Sequence, residues 1–228
     1  MPEYGPPQIR VERIGDEGEP VVVVERLSPQ PDRLVAEAAS TSFEALGEFY
    51  PGVRARAPRF YFEDLASILA PVVREVFGYR ERLTIDRALY SMVTTPPGRL
   101  SLVQRIPHID GVEEGMIAVL HYLSPGDRGG TGFYRHISTG FETVDATRHR
   151  PYLDALQADF ARHGEPAAGY IEGDTAIFSR TAYFAPTYNR ALIYRSSLLH
   201  CASVTGDAAL PADVHAGRLT IATFLSAR

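Results

Sequence analysis

The sequence predicts an α+β protein whose core is a β-sandwich or jelly roll. Two amphipathic helical patterns come first, and from about residue 83 the chain turns into short β-rich runs of irregular spacing. The 19 glycines and 17 prolines supply the turns such a core needs. At 228 residues the chain fits a single domain with a sizeable core. Its expected parts are a loose tail over residues 1–18, a strand and supporting helices over 19–82, and the β core over 83–228.

The first strand is expected at Val21, Val22, Val23 and Val24, with Arg26 and Leu27 following, because β-branched residues favour extended backbone. Leu34, Val35, Ala38, Ala39 and Leu46 fit an amphipathic helix over residues 32–46, broken by the loop Tyr50-Pro51-Gly52-Val53-Arg54. A clearer helix follows: Leu65, Ile68, Leu69, Val72, Val73, Val76 and Phe77 recur every three or four residues, and Gly78 stops it. Pro71 lies inside that pattern, so a kink is expected there. Strands are expected at 83–94, 116–123 and 131–136, then a helix over 150–163 ended by Gly164. The last strands are expected at 175–178, at 192–194 with the run into His200, and at 218–225.

Composition excludes several classes. The formal net charge is −5 and no Lys/Arg block occurs, so no nucleic-acid partner is expected. The single cysteine, Cys201, rules out an internal disulfide and a thiolate zinc site. No apolar run approaches the roughly 20 residues that span a bilayer, and the proline-containing start has no apolar core of a secretory signal. No membrane partner is expected, and the reading is a cytoplasmic protein.

The residues that carry chemistry begin with His108-Ile109-Asp110. In extended backbone, side chains two apart share a face, so His108 and Asp110 point the same way. His200, arriving from a distant strand, completes two imidazoles and a carboxylate, the donor set of a non-haem iron(II) facial triad. Arg218 follows, and a guanidinium can grip an organic acid with two parallel hydrogen bonds. Thr220 lies on the same face as Arg218. Cys201 points away from His200 and reads as a packed thiol. No Gly-x-Ser-x-Gly elbow or glycine-rich phosphate loop is present.

This ordered set resembles the iron(II)/2-oxoglutarate dioxygenases, which fold as a double-stranded β-helix. The run Leu120-His121-Tyr122-Leu123-Ser124, followed by Gly129-Gly130-Thr131-Gly132-Phe133, is similar to the branch around prolyl 4-hydroxylases. The closing stretch from Arg218 through Thr220 to Leu225 is similar to the family's last co-substrate strand. The phrases Gln104-Arg105-Ile106-Pro107-His108, Tyr188-Asn189-Arg190 and Tyr194-Arg195-Ser196-Ser197 also resemble an uncharacterised bacterial group of this superfamily. The resemblance implies a jelly-roll core from about residue 83 with the N-terminal helices as its support. It implies Fe(II) on His108, Asp110 and His200, 2-oxoglutarate on Arg218, Thr220 and Tyr122, and O2 as the oxidant. The stretch between His200 and Arg218 is longer than the family's, which a loop insertion over residues 206–217 would explain.

The implied reaction hydroxylates an unactivated carbon of a small-molecule or amino-acid-type substrate, with release of succinate and CO2. Since Asp110 fills the carboxylate position, hydroxylation is implied over halogenation. Arg105, Arg135 and Arg195, near the proposed site in sequence, are candidate contacts for an anionic substrate, and residues 141–169 are a candidate lid. Two other classes compete. One is a catalytically idle β-helix binding module, which would have no use for His108, Asp110, His200 and Arg218 together. The other is a cupin-type metalloenzyme without 2-oxoglutarate, whose usual His-x-His pattern is missing here.

Overall fold

The four consecutive valines at residues 21–24 are all fully buried because both faces of their strand are covered. Val21 and Val23 belong to a cluster with Ala118, Phe133 and Leu192, whereas Val22 and Val24 join Leu34, Leu65 and Leu69 on the opposite side. Strand side chains alternate between faces, so a strand covered twice reads as an unbroken apolar run.

The computed structural model describes residues 5–47, 49–205 and 210–228. Within them lie β1 (Gln8–Ile14), β2 (Glu19–Glu25), α1 (Pro31–Ala39), β3 (Gly52–Arg56), α2 (Arg59–Val76), β4 (Leu83–Val93), β5 (Met116–Tyr122) and β6 (Gly130–His136). They are followed by α3 (His149–His163), β7 (Phe178–Phe184), β8 (Arg190–Arg195), β9 (His200–Ser203) and β10 (Leu219–Ala227). A seven-stranded sheet runs β1-β2-β8-β5-β10-β4-β3, and a three-stranded sheet runs β7-β6-β9. Neighbouring strands pair antiparallel. No helix among the described residues is long and apolar enough to cross a membrane.

Three apolar clusters set the layers. Helices α1 and α2 pack against one face of the large sheet through Leu34, Leu65, Leu69 and Val73. The small sheet faces the other side, where Phe133 and Phe184 meet Val23, Leu192 and Phe224. Helix α3 lies against the small sheet's far face through Tyr152 and Leu156 beside Tyr134 and Cys201. Three strands cannot cover seven. The facing cluster draws on β1, β2, β8, β5 and β10, while Arg87, Leu89 and Ser91 of β4 and Arg54 of β3 line an open cavity instead.

Several expectations need correction. Residues 8–14, expected in a loose tail, form β1, paired with β2 from Gln8↔Glu25 to Ile14↔Glu19. Arg10, Glu12 and Arg13 around Ile9 and Val11 make the stretch look like a polar tail, yet at a sheet edge such alternation is a strand. The stretch expected as a loop at 50–54 contributes to β3, which adds to the long edge of β4. Gly52 sits so close to β4 that a Cβ there would lie 1.9 Å from the Met92 carbonyl oxygen. Helix α1 stops at Ala39 rather than near Leu46, because Ser40 and Thr41 turn their hydroxyls back onto the Ala36 and Glu37 carbonyls. Strand β7 starts at Phe178, since the Thr175 hydroxyl accepts the Ile177 and Phe178 amides and makes a turn of 175–178. Helix α2 continues through Pro71, which lies on its exposed side. The expected insertion at 206–217 falls partly on 206–209, outside the described residues.

His121 faces the helices, away from Tyr122. Its Nε2 lies 3.0 Å from the Asn189 Oδ1, which also accepts the Ser28 amide at 2.9 Å, so Nε2 is the donor. The ring stacks on Tyr61 at 5.8 Å, and Nδ1 has no hydrogen-bond partner. Burial, opposed by Asn189, pushes the pKa down to about 4. The unfolded chain therefore binds a proton below pH 6.5 that the folded chain refuses until about pH 4. His121 thus adds a stability loss of roughly 3 kcal/mol as pH falls through that window. His121→Phe, scanned by thermal melting, is expected to lower the acid sensitivity between pH 6.5 and 4; an unchanged slope would disprove this account.

Candidate active site

His108 and Asp110 lie on the segment that leads into β5, held by backbone bonds to distant chain. His108 and His200 exchange both amide–carbonyl hydrogen bonds at 2.9 Å, an isolated antiparallel bridge. The Asp110 amide donates to the Ser196 carbonyl at 2.8 Å. These bonds bring one ligating atom from each of His108, Asp110 and His200 within 4.8 Å of one another. His108 Nε2 lies 3.9 Å from one Asp110 oxygen and His200 Nε2 lies 3.4 Å from the other.

The cluster suits a divalent cation. Donors about 2.0–2.2 Å from an ion at right angles lie about 3 Å apart, so only small side-chain shifts are needed. The His200 Nδ1 donates to the Leu198 carbonyl at 2.8 Å, which leaves Nε2 to act as the ligand. Half of the His108 side chain, 51%, is exposed, and it faces the cavity. Burial, then the neighbouring His200, draws its pKa down to about 4, so the ring is neutral. Burial would raise Asp110, yet His200 and His108 outweigh it and hold the carboxyl ionised. Burial would lower His200, and Asp110 outweighs it.

The cluster opens into a cavity of 810 Å3 over the uncovered half of the large sheet. Its floor carries a cross-strand row, Thr220 opposite Ser91 and Ser91 opposite Arg54, while Tyr122, opposite Thr220 on the other side, is buried in the inter-sheet core. Arg218 is buried, donating from Nε to the Gly129 carbonyl at 2.8 Å and from Nη2 to the Gly130 carbonyl at 3.1 Å. Its remaining N–H groups carry no ion pair to a described carboxylate, and its carbon lies 5.6 Å from the Tyr122 ring centre. The Gly-Gly turn is required: a Cβ on Gly130 would lie 2.1 Å from the Phe184 carbonyl oxygen. Tyr122 shares a 2.6 Å hydrogen bond with Thr131, and the Thr220 hydroxyl donates to the Ser91 carbonyl at 3.3 Å.

The three arginines expected beside a substrate stand elsewhere. None lines the cavity. Arg105 donates to the Leu100 and Pro166 carbonyls, Arg135 pairs with Asp16 and Glu142, and Arg195 pairs with Glu19 and donates to the Tyr79 hydroxyl. Arg54 and Arg87 occupy the cavity instead. Reading 52–56 as a strand would have found Arg54, since alternation turns it inward; as part of a loop it had no direction.

Helix α3 forms a wall through His149, Tyr152, Leu153 and Leu156. Its approach is fastened to the β1–β2 turn by exchanged carboxylates. Glu142 accepts the Asp16 and Glu17 amides at 2.9 and 3.1 Å, and Glu17 accepts the Glu142 and Thr143 amides at 3.2 and 3.1 Å. Arg148 closes the clasp on Glu17. Gly15 makes room for it, because a Cβ there would lie 1.9 Å from a Glu142 carboxylate oxygen.

A family model described as "Family of unknown function (DUF6445)" matches residues 6–225. No curated protein matches the chain. Among solved structures, HygX from Streptomyces hygroscopicus with nickel and 2-oxoglutarate bound is similar at 14% identity and TM-score 0.52, covering 91% of this chain and 82% of that one. The same protein with nickel, 2-oxoglutarate and hygromycin B is similar at 14% identity and TM-score 0.53, with the same coverage. SnoN, a non-heme alpha ketoglutarate dependent epimerase from nogalamycin biosynthesis, is similar at 13% identity and TM-score 0.53, covering 92% and 79%. At these identities the likeness is one of fold.

Mn(II), a redox-quiet divalent ion, is expected to raise the melting temperature by on the order of 5 °C at a hundredfold excess over its dissociation constant. Asp110→Ala and His200→Ala are expected to abolish the shift. An equal shift in both variants would place the bound ion elsewhere.

Proposed function

We propose that this chain, which belongs to the DUF6445 family of unknown function, is an iron(II)- and 2-oxoglutarate-dependent oxygenase that hydroxylates a small-molecule substrate. The observation that carries the reading is a His108–Asp110–His200 cluster opening into a cavity whose polar end holds Arg218. Two facing antiparallel sheets support a double-stranded β-helix core, and the 2-oxoglutarate and hygromycin B bound to HygX support the co-substrate and a small-molecule substrate.

Each residue has a role in this reading. His108, Asp110 and His200 would hold Fe(II), and the ion with 2-oxoglutarate and O2 would supply the oxidation that yields succinate, CO2 and the hydroxylated substrate. Arg218 holds the far carboxylate of 2-oxoglutarate with the N–H groups that Gly129 and Gly130 do not use. Thr220 lines the same end, and Tyr122, whose ring lies beside Arg218 next to the Gly129-Gly130 turn, supports the prolyl-4-hydroxylase-like branch. Asp110 occupies the position a halide would need, which favours hydroxylation. Tyr194, whose ring lies 4.8 Å from that of His200, fixes the imidazole from the side.

The test is succinate release from 2-oxoglutarate by protein loaded anaerobically with Fe(II) and then given oxygen. Wild type is expected to release succinate, and Asp110→Ala to lose at least about a hundredfold. Arg218→Gln is expected to raise the KM for 2-oxoglutarate by about tenfold or more through loss of a charge-assisted pair. Wild type that neither releases succinate nor binds 2-oxoglutarate would exclude the oxygenase reading.

A further inference from the structure

The cavity has an apolar mouth. Leu46, Phe49, Val103 and Leu153 are exposed at 41, 74, 44 and 44%, and all four line its walls. They come from separate segments: the loop before β3, the turn before His108, and α3. Single exposed apolar residues are ordinary on a protein surface; four that converge on one opening mark a binding mouth. Ile106, Ile109, Leu156 and Ile171 continue the apolar wall inward.

Deeper in, the charges are one-sided. Asp110 is the one carboxylate among the described lining residues, and the cation site uses it. Arg54 and Arg87 both line the cavity, and neither forms an ion pair with a described residue. The Arg54 guanidinium lies 3.9 Å from the Tyr50 ring centre, and its buried Nε has no hydrogen-bond partner. Arg87 lies 4.3 Å over the Phe224 ring; it acts on Arg54 as a like charge, and Asp110, which the cation site would use, acts on Arg54 as an opposite one. A guanidinium with an unused buried donor is stabilised by an anion in the cavity. With Asp110 taken by the cation, an ammonium group finds no carboxylate among the described lining residues.

We propose that the prime substrate is an amphipathic organic acid without a free amine: Arg54 grips its carboxylate, and an apolar chain or ring lies along Leu46, Phe49, Val103 and Leu153. The assignment rests on the oxygenase reading of the site. It departs from the amino-acid-type alternative of the sequence reading, because the cation of a zwitterion would find no carboxylate among the described lining residues. Arg54 is then a specificity-determining residue, separate from Arg218, which serves the co-substrate.

The test is calorimetric titration of protein saturated with Mn(II) and 2-oxoglutarate, using decanoate, decanamide and decylammonium as probes. Decanoate is expected to bind about tenfold or more tightly than the other two. Arg54→Gln is expected to erase that preference and Arg54→Lys to retain part of it. Phe49→Ser and Leu153→Ser, both at exposed positions, are expected to weaken decanoate and decanamide alike. Equal binding of the three probes, no binding of decanoate, or a preference that survives Arg54→Gln would overturn the proposal. The heats of Mn(II) and 2-oxoglutarate are read first and separately. Their absence would remove the oxygenase reading, while decanoate preference in the unloaded protein would still decide the acid subsite.

Discussion

Two hydrogen bonds hold the site together. His108 and His200 exchange amide and carbonyl at 2.9 Å each, joining the segment before β5 to the start of β9. Backbone bonds fix position without depending on rotamers, so the two imidazoles meet at a ring separation of 4.5 Å even though their strands belong to remote parts of the sequence. Asp110 follows by alternation, and its own amide is tied to Ser196. The meeting of the three side chains is therefore a property of the backbone crossing more than of any side-chain packing.

The cavity arises from unequal widths. A seven-stranded sheet faces a three-stranded one, and the side chains of β4 and β3 are left without an opposing layer. Helix α3 and the segments around Phe49 and Val103 fill the gap only in part. The same inequality explains the polarity of the floor: Arg54, Arg87 and Ser91 occupy inward positions that, under a full second sheet, would be apolar.

The residues that converge on the candidate site were legible in the sequence because His-x-Asp, His and Arg-x-Thr have a fixed order and each falls on or beside an extended run. The core strands were legible for the same reason, through alternation and β-branched runs. The lost elements share a cause. Both β1 and β3 are edge strands at opposite ends of the sheet, and an edge carries charges that a local reading assigns to tail or loop. Arg105, Arg135 and Arg195 stand away from the cavity, since proximity in sequence to a candidate ligand says nothing of direction. Arg105 and Arg195 spend their donors on backbone, a carboxylate or a hydroxyl nearby, and Arg135 serves the clasp on Glu142.

The exchanged carboxylates of Glu17 and Glu142 give the N-terminal hairpin a mechanical role. They fasten the chain just ahead of α3 to the β1–β2 turn, while the helix ends at Gly164 in an open conformation with φ of 79°. Tyr152, Leu153 and Leu156 of the cavity wall sit on the helix that starts at this anchor. Further along, buried Asp159 accepts the Ser138 hydroxyl and lies 3.1 Å from the His136 ring nitrogen. The wall is thus moored at both ends by carboxylates that do not line the cavity themselves.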